Sequence, residues 1–268
     1  MRLPGWTKGH GARSQFKGRS APTSFSVTQA ARTPGTNSHY MRLKILSWNI
    51  WISGNFEQIT DFLEKADADI IGLQEVEADA PERDVIGFLT KLGYAHVFAP
   101  VPKTGKRKVN DGPALFSRHG LLNAKTHSLS NTSNRSAVSA DIQVGERIVH
   151  AFSTHLLHTH QAYTDVQGEQ VENLLKILPK EKTILMGDFN AGADSAYIKR
   201  MRSVLQDTDS SGAPTWSMYP EGCDVCNPQS VDIRLDYMFT TPDLTVLSSR
   251  VEDSNASDHL PISAEIEV

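Results

Sequence analysis

The chain has 268 residues, of which 39% are hydrophobic and 22% charged, and its formal net charge at pH 7 is -4. No apolar run approaches the roughly 18 residues that a membrane-spanning helix needs, so stable membrane insertion is not expected. The two cysteines, Cys223 and Cys226, exclude a disulfide framework and lack the second pair that a zinc site would need, so we assign them to a loop.

The first 40 residues differ in charge from the rest of the chain. They contain six Arg or Lys residues and no Asp or Glu, which leaves 21 basic and 31 acidic residues in the remainder. Because residues 1–40 are rich in Ser, Thr, Gly and Pro and show no apolar period, we expect a disordered basic leader. A transit peptide that directs the protein to an organelle and an extension upstream of a true start at Met41 fit residues 1–40 equally well, so the expected location is the cytoplasm unless the leader is a transit peptide.

The first third of the chain body predicts alternating strands and helices. Strands are expected at 43–50, 69–73 and 94–99, and helices at 56–65 and 82–92. The first strand ends on Asn49, and the second runs into Gln74 and Glu75. Glu75 is therefore distinguished from the acidic loop after it, because it directly follows a buried apolar run.

Four cations occur in the six residues 103–108, although the chain body is otherwise acidic. A run of like charge is usually a solvated surface, and the alternative here is a loop that steers a phosphate substrate. Strands are then predicted at 113–117, 135–144 and 147–154, the last two joined by a hairpin turn at 144–147.

Three histidines follow these strands within six residues, a spacing that could also bind metal. Only His155 directly ends a strand, so we take it as the candidate site residue. His158 and His160 are assigned to the surface or to supporting positions.

The segment 183–191 is the centre of the prediction. A crossover helix at 162–178 ends before Pro179 and leads into a buried strand that is followed by Gly187. If the backbone stays extended, Asp188 and Asn190 project from the same face at the carboxyl end of this strand, where open α/β sheets usually bind ligands. The alternative is a plain turn, which these residue types also favour.

The last third of the chain pairs a carboxylate with an imidazole. A short helix at 194–205, a loop at 207–231 and strands at 235–239 and 262–268 are predicted. Asp236 lies near the start of a buried strand and needs a partner, because burying an unpaired charge is costly. His259, just before the final strand, is the candidate, since a carboxylate that accepts the Nδ1 proton fixes the imidazole tautomer.

Strand after strand in this prediction ends or begins on a carboxylate, an amide or an imidazole. The residues are Asn49, Glu75, His155, Asp188, Asn190, Asp236, Asp258 and His259. Such a set suggests one pocket ringed by oxygen and nitrogen ligands, which without thiolates suits Mg²⁺ or Mn²⁺. A metal beside a His–Asp pair is the equipment for attack of water on phosphorus.

Six of these segments resemble, in order, the motifs of the endonuclease/exonuclease/phosphatase (DNase I-like) superfamily. They are Ser47-Trp48-Asn49, Leu73-Gln74-Glu75-Val76, Ser153-Thr154-His155-Leu156, Gly187-Asp188-Phe189-Asn190, Arg234-Leu235-Asp236-Tyr237 and Ser257-Asp258-His259-Leu260-Pro261. The resemblance implies an α/β fold, a four-layer α/β sandwich of two mixed β-sheets packed face to face with helices outside. It also implies that residues 41–268 form one catalytic domain.

The resemblance implies a metal site and a phosphate contact. Glu75 would be the principal ligand of Mg²⁺ or Mn²⁺, with Asn49 and Asp258 nearby. Arg135 would add a weaker contact to the substrate phosphate.

The resemblance implies catalytic roles as well. Asp188 would orient or activate the attacking water, and Asn190 would hold the phosphate. His155 and His259 would contact the phosphate and assist proton transfer, with Asp236 orienting His259.

The expected function is therefore a monomeric, divalent-metal-dependent phosphodiester hydrolase, with DNA or RNA as the first substrate class. The cations at 103–108 favour this substrate, whereas the acidic chain body favours the alternative, a small phosphoester or phospholipid. A second alternative is a catalytically inactive binding protein. That reading predicts eroded ligands, yet each matched position holds a chemically competent side chain.

Overall fold

The computed structural model of the protein describes residues 41–101, 110–158, 164–217, 219 and 230–268. The predicted leader, the basic loop at 103–108, His160 and the two cysteines lie outside these residues. None of the described helices is long and apolar enough to cross a membrane.

The first sheet has six strands. They are β1 (Arg42–Asn49), β2 (Ile70–Glu77), β3 (Ala95–Phe98), β4 (Asp111–Ser117), β11 (Thr245–Val251) and β12 (Ile262–Glu267). Their order is β11-β12-β1-β2-β4-β3, in which only β1 and β2 are parallel neighbours. The sheet is therefore mixed, as predicted.

The second sheet also has six strands. They are β5 (Leu121–Ser128), β6 (Ser136–Val144), β7 (Arg147–His155), β8 (Thr183–Asp188), β9 (Gln206–Asp207) and β10 (Asp236–Thr240). Their order is β5-β6-β7-β8-β10-β9, with β7 and β8 parallel. The predicted hairpin joins β6 to β7, and the predicted crossover joins β7 to β8.

Four α-helices lie in the described part of the chain. They are α1 (Phe56–Ala66), α2 (Val85–Lys91), α3 (Asp165–Ile177) and α4 (Ala196–Arg202). Each begins after a polar residue whose side-chain oxygen accepts a backbone N–H of the first turn, namely Asn55, Asp84, Thr164 and Ser195.

Three separate apolar clusters produce the four layers. The central cluster, which includes Ile45 and Ile184, joins the facing sides of the two sheets. The second contains Trp48 and residues of α1 and α2, and the third contains Phe189 and residues of α3 and α4. Each large side chain so buried stabilises the fold by about 1.5–3 kcal/mol, and the predicted sandwich with helices outside is confirmed.

The elements absent from the prediction are mainly exposed edge strands. β5 and β11 each end one sheet, and most of their residues are exposed or half-buried. Such strands lack the apolar alternation that buries one face of an inner strand. The predicted helix at 82–92 is divided at Asp84, which caps α2 after a separate 3-10 turn at Pro81–Arg83.

Gly187 allows β8 to approach β7 closely. Its φ is +150°, and a Cβ atom there would lie 2.1 Å from the Thr154 carbonyl oxygen.

We expect Gly187→Ala to lower the free energy of unfolding by more than about 2 kcal/mol, measured by urea denaturation. Gly212→Ala is the control, since Gly212 has φ +70° and open space around it, and it should cost about 1 kcal/mol or less. Equal losses in the two variants would contradict the close-approach argument.

Candidate active site

Asp188 and Asn190 lie side by side, although not for the predicted reason. β8 ends at Asp188 and Asn190 has φ +49°, so the expected extended backbone through Asn190 is wrong. The Asn190 N–H donates to Asp188 Oδ1 at 2.8 Å, and Asn190 Nδ2 donates to Asp188 Oδ2 at 3.0 Å. A tight turn of the kind that Asp and Asn favour therefore joins the two side chains, combining both readings of this segment.

Glu75 lies within a strand and not after one, which corrects the predicted boundary at residue 73. β2 continues to Glu77, and its register with β4 shifts between Leu73 and Val76. Glu75 has φ +58° in this bulge, a device that redirects a side chain out of the regular ladder. Its Oε2 accepts the Ile52 N–H at 3.1 Å.

Asn49 links the two sheets at their shared edge. Its Nδ2 donates to Glu75 Oε1 at 3.3 Å and to Asp188 Oδ2 at 3.1 Å. Its Oδ1 accepts the Trp51 N–H at 3.0 Å. The ends of β1 and β8, which belong to different sheets, therefore meet through the side chain of Asn49.

The predicted contact between Asp236 and His259 is present. His259 Nδ1 lies 2.7 Å from Asp236 Oδ2, and the same oxygen accepts a hydrogen bond of 2.6 Å from Thr215 Oγ1. Thr215 Oγ1 in turn accepts the N–H groups of Leu235 and Asp236, each at 3.1 Å. Asp236 is thus fixed from two directions and holds the imidazole in one tautomer.

Two imidazoles face Asp188. His155 Nε2 lies 3.4 Å from Asp188 Oδ2, and His259 Nε2 lies 3.8 Å from the same atom. All three side chains are at most 6% exposed. Charges this close interact strongly, because little water screens them.

Burial raises the pKa values of the Asp188 and Asp258 carboxyls. The pKa of Asp188 rises to about 7, because desolvation and the negative charge of Asp236 raise it. These effects outweigh the positive charge of His259 and the hydrogen bonds that Asp188 accepts from Asn190 and Asn49, which lower it. The pKa of Asp258 rises to about 6, through desolvation and the charge of Glu75. Desolvation alone would lower the pKa of His259, but Asp236, Asp188 and Asp258 raise it well above its usual value.

Arg135 shares a cleft with His155. The cleft has a volume of about 370 Å³ and an otherwise mostly uncharged lining that includes Thr132, Ser133 and Asn134. Arg135 therefore lies where it could contact a substrate that reaches His155. His158 is exposed, as expected of a surface residue.

Two sets of side chains at this edge offer ligands to a divalent cation. Ligand atoms of Asp188, Asp236 and His259 lie within 4.8 Å of one another. However, Asp236 Oδ2 and His259 Nδ1 already bond each other, so these two atoms are not available to an ion. The charge of Glu75 contributes to the raised pKa of Asp258, and carboxylate oxygens are ligands that suit a hard cation.

Three residues that support the site were not predicted from the sequence. Thr215 lies in a segment without periodicity, so no pattern indicates that it contacts Asp236. Ser257 donates to the Asn49 carbonyl at 2.7 Å, and Trp48 Nε1 donates to the His259 carbonyl at 2.9 Å. Ser257 and Trp48 belong to two of the segments that resemble the superfamily motifs, and this resemblance was the only sequence signal for them.

Comparison with solved structures gives the same fold. ANGEL2, described as a 2',3'-cyclic phosphatase, has a TM-score of 0.70 at 17% identity, over 85% of this chain and 96% of that one, in complex with adenosine-2',3'-vanadate. The human Nocturnin catalytic domain with bound sulfate has a TM-score of 0.65 at 21% identity, over 89% and 100%. An endonuclease/exonuclease/phosphatase family protein from Leptotrichia buccalis has a TM-score of 0.67 at 24% identity, over 84% of this chain and 100% of that one.

The protein is an α/β sandwich, and the acids, amides and imidazoles of the site lie together at one edge of its sheets. The chain belongs to the Endonuclease/Exonuclease/phosphatase family, whose model matches residues 46–259. Members of this family are phosphoester hydrolases that typically use divalent metals. No curated protein matches the chain by sequence.

Proposed function

We propose that this protein is a Mg²⁺- or Mn²⁺-dependent phosphodiester hydrolase that acts on nucleic acid or on an ester of a nucleotide. The observation that carries the proposal is the convergence of Asn49, Asn190, His155 and His259 on the single carboxylate of Asp188. With Asp188, these residues come from four separate segments of the chain, and a purely structural carboxylate does not need two imidazoles.

Glu75, Asn49 and Asp258 would hold the metal. The bound ion supplies Lewis-acid polarisation of a phosphoryl oxygen. Asn49 also donates to Asp188, so it couples the metal ligands to the proton-transfer group.

Asp188 takes the proton from the attacking water. A general base works best when its pKa lies near the operating pH, and burial brings the pKa of Asp188 to about 7. His259, kept protonated by Asp236, stabilises charge on the phosphate and donates its proton to the oxygen that leaves as the P–O bond breaks. His155, Asn190 and Arg135 contact the phosphate oxygens.

Two observations favour a nucleotide ester over a lipid. The lining of the cleft beside His155 includes the hydroxyl and amide groups of Thr132, Ser133 and Asn134 next to apolar side chains, and such polar groups hydrogen-bond sugars and bases. ANGEL2, which has the same fold, was crystallised with an adenosine compound. The acidic chain body supports the second candidate, a small phosphoester or phospholipid substrate.

A substrate panel tests the proposal. Single-stranded RNA and DNA, duplex DNA, adenosine 2',3'-cyclic phosphate, sphingomyelin and inositol phosphates are incubated with Mg²⁺ or with EDTA. We expect hydrolysis of a nucleotide ester with Mg²⁺ and none with EDTA. Hydrolysis that persists in EDTA would remove the mechanism, and hydrolysis of sphingomyelin alone would establish the second candidate.

The stability of the metal-free protein is expected to fall as the pH rises from about 5 to about 8. The pKa values of Asp188 and Asp258 are raised to about 7 and about 6 from 3.8, so the folded state retains protons that the unfolded state releases. The contribution of the two protonated carboxyls to the stability of the folded state is complete below their pKa in the unfolded chain. It is lost as the pH rises through their pKa values in the folded protein. The raised pKa of His259 acts in the same direction.

Thermal unfolding at several pH values, with EDTA or with Mg²⁺, measures this effect. Because the ion binds deprotonated carboxylates, the increase in Tm on adding Mg²⁺ should be larger at about pH 8 than at about pH 5. A Tm increase that is independent of pH would contradict the assignment of these carboxylates.

A further inference from the structure

Arg83 joins the end of β2 to the loop that follows β1. Its Nε donates to Glu77 Oε2 at 2.8 Å, its Nη2 donates to the Trp51 carbonyl at 2.8 Å, and its Nη1 donates to the Gly54 carbonyl. The Arg83 and Glu77 side chains are only 15% and 7% exposed. A planar guanidinium can satisfy three such acceptors at once, which a lysine cannot do with the same geometry.

The loop that Arg83 contacts donates hydrogen bonds to two of the three residues assigned to the metal, Asn49 and Glu75. The Ile52 N–H donates to Glu75 Oε2, and the Trp51 N–H donates to Asn49 Oδ1. Trp51 and Glu75 have φ values of +48° and +58°, which non-glycine residues adopt only when their surroundings determine them. Arg83 contacts the segments on both sides of this arrangement, through Glu77 and through the Trp51 carbonyl.

We propose that Arg83 is a positioning residue for the divalent metal site, acting through the backbone of Trp51 and Ile52 on Asn49 and Glu75. The inference rests on the proposed function, because it concerns the metal of the proposed hydrolase. Arg83 does not contact the ion or the substrate in this scheme. It keeps the ligand side chains in the orientation that the cation requires, and such supporting contacts typically change metal affinity by about 10–100-fold.

Electrostatics alone predicts the opposite sign. Arg83 is a cation, so its removal reduces repulsion of a nearby metal ion and should tighten binding. Loss of positioning should weaken binding. The direction of the change therefore distinguishes the two effects, and Arg83→Lys, which keeps the charge, isolates positioning.

Mn²⁺ binding to the full chain, measured from the EPR signal of the free ion, tests the proposal without relying on activity. We expect Arg83→Lys to raise the dissociation constant for Mn²⁺ by about 10–100-fold. Arg83→Met with Glu77→Gln is the second variant, because it removes the same contacts without leaving Glu77 buried and unpaired. It should weaken Mn²⁺ binding to a similar extent.

Arg118→Met is the matched control. Arg118 also bonds two side chains, Tyr94 and Asp67, but its backbone N–H donates to the Asp69 carbonyl beside the start of β2, away from Glu75. The dissociation constant of the Arg118→Met variant for Mn²⁺ should equal that of the unaltered protein. Unchanged or tighter Mn²⁺ binding by both Arg83 variants would overturn the positioning role alone. Failure of the unaltered protein to bind Mn²⁺ would overturn the proposed function, and the positioning role with it.

Discussion

Replacing Glu75 with glutamine is expected to lower kcat by about three powers of ten or more. A metal ion contributes several kcal/mol to the transition state, and each 1.36 kcal/mol corresponds to about a tenfold change in rate. Glutamine keeps an oxygen that can accept the Ile52 N–H, so the loop contact at Glu75 survives. The carboxylate charge that holds the cation does not.

The measurement is the initial rate of hydrolysis on the substrate that the panel identifies, over a range of Mg²⁺ concentrations, together with the Tm of the metal-free protein. The Tm of Glu75→Gln should stay close to that of the unaltered chain, because the two side chains have similar size. Glu64→Gln is the matched control, since Glu64 is exposed on α1 and should leave kcat unchanged. If the Glu75→Gln variant retains a kcat within about tenfold of that of the unaltered protein, the result would contradict the assignment of Glu75 as the principal metal ligand.

Replacing Asp236 with asparagine is expected to lower kcat by about 10²–10⁴-fold and to change the pH profile. Asp236 accepts the Nδ1 proton of His259 and supports its protonated form. Without that charge the pKa of His259 falls, so the protonated form is lost at a lower pH. The alkaline limb of the kcat profile should therefore move to lower pH, while the overall rate falls because the imidazole is less firmly oriented.

The chain offers a close control for this variant. Asp141 forms a similar pair with His150, in which His150 Nδ1 lies 2.6 Å from Asp141 Oδ1, but this pair is more exposed and lies within strands β6 and β7. Asp141→Asn should leave both kcat and the pH profile unchanged. If Asp141→Asn and Asp236→Asn shift the profile equally, the effect is a general one of charge and not a property of the Asp236–His259 pair.

The inner strands of both sheets were predictable from sequence because they bury side chains on regular faces. Buried residues such as Leu43, Ile45 and Ile184 supply the apolar patterns that identify β1 and β8. The motifs around Asn49 and Asp188 resembled those of one superfamily, and that resemblance implied the four-layer architecture. Periodicity alone does not determine which sheets face each other.

The residue types at the site were also determined by the sequence, since each candidate carboxylate, amide or imidazole is present at its motif. The contact between Asp236 and His259 followed from the cost of burying an unpaired charge, although 22 residues separate them.

Only the tertiary structure decided how these side chains are aimed. Glu75 is directed by a bulge that local sequence does not specify, and Asn190 by a left-handed turn that its residue type allows but does not require. Thr215, which contacts Asp236, and Arg83, which contacts the Trp51 carbonyl, lie in segments without a motif, because these contacts depend on which groups long-range packing brings within hydrogen-bond distance. Sequence patterns report burial and local backbone preference, whereas the orientation of a ligand depends on contacts between distant segments.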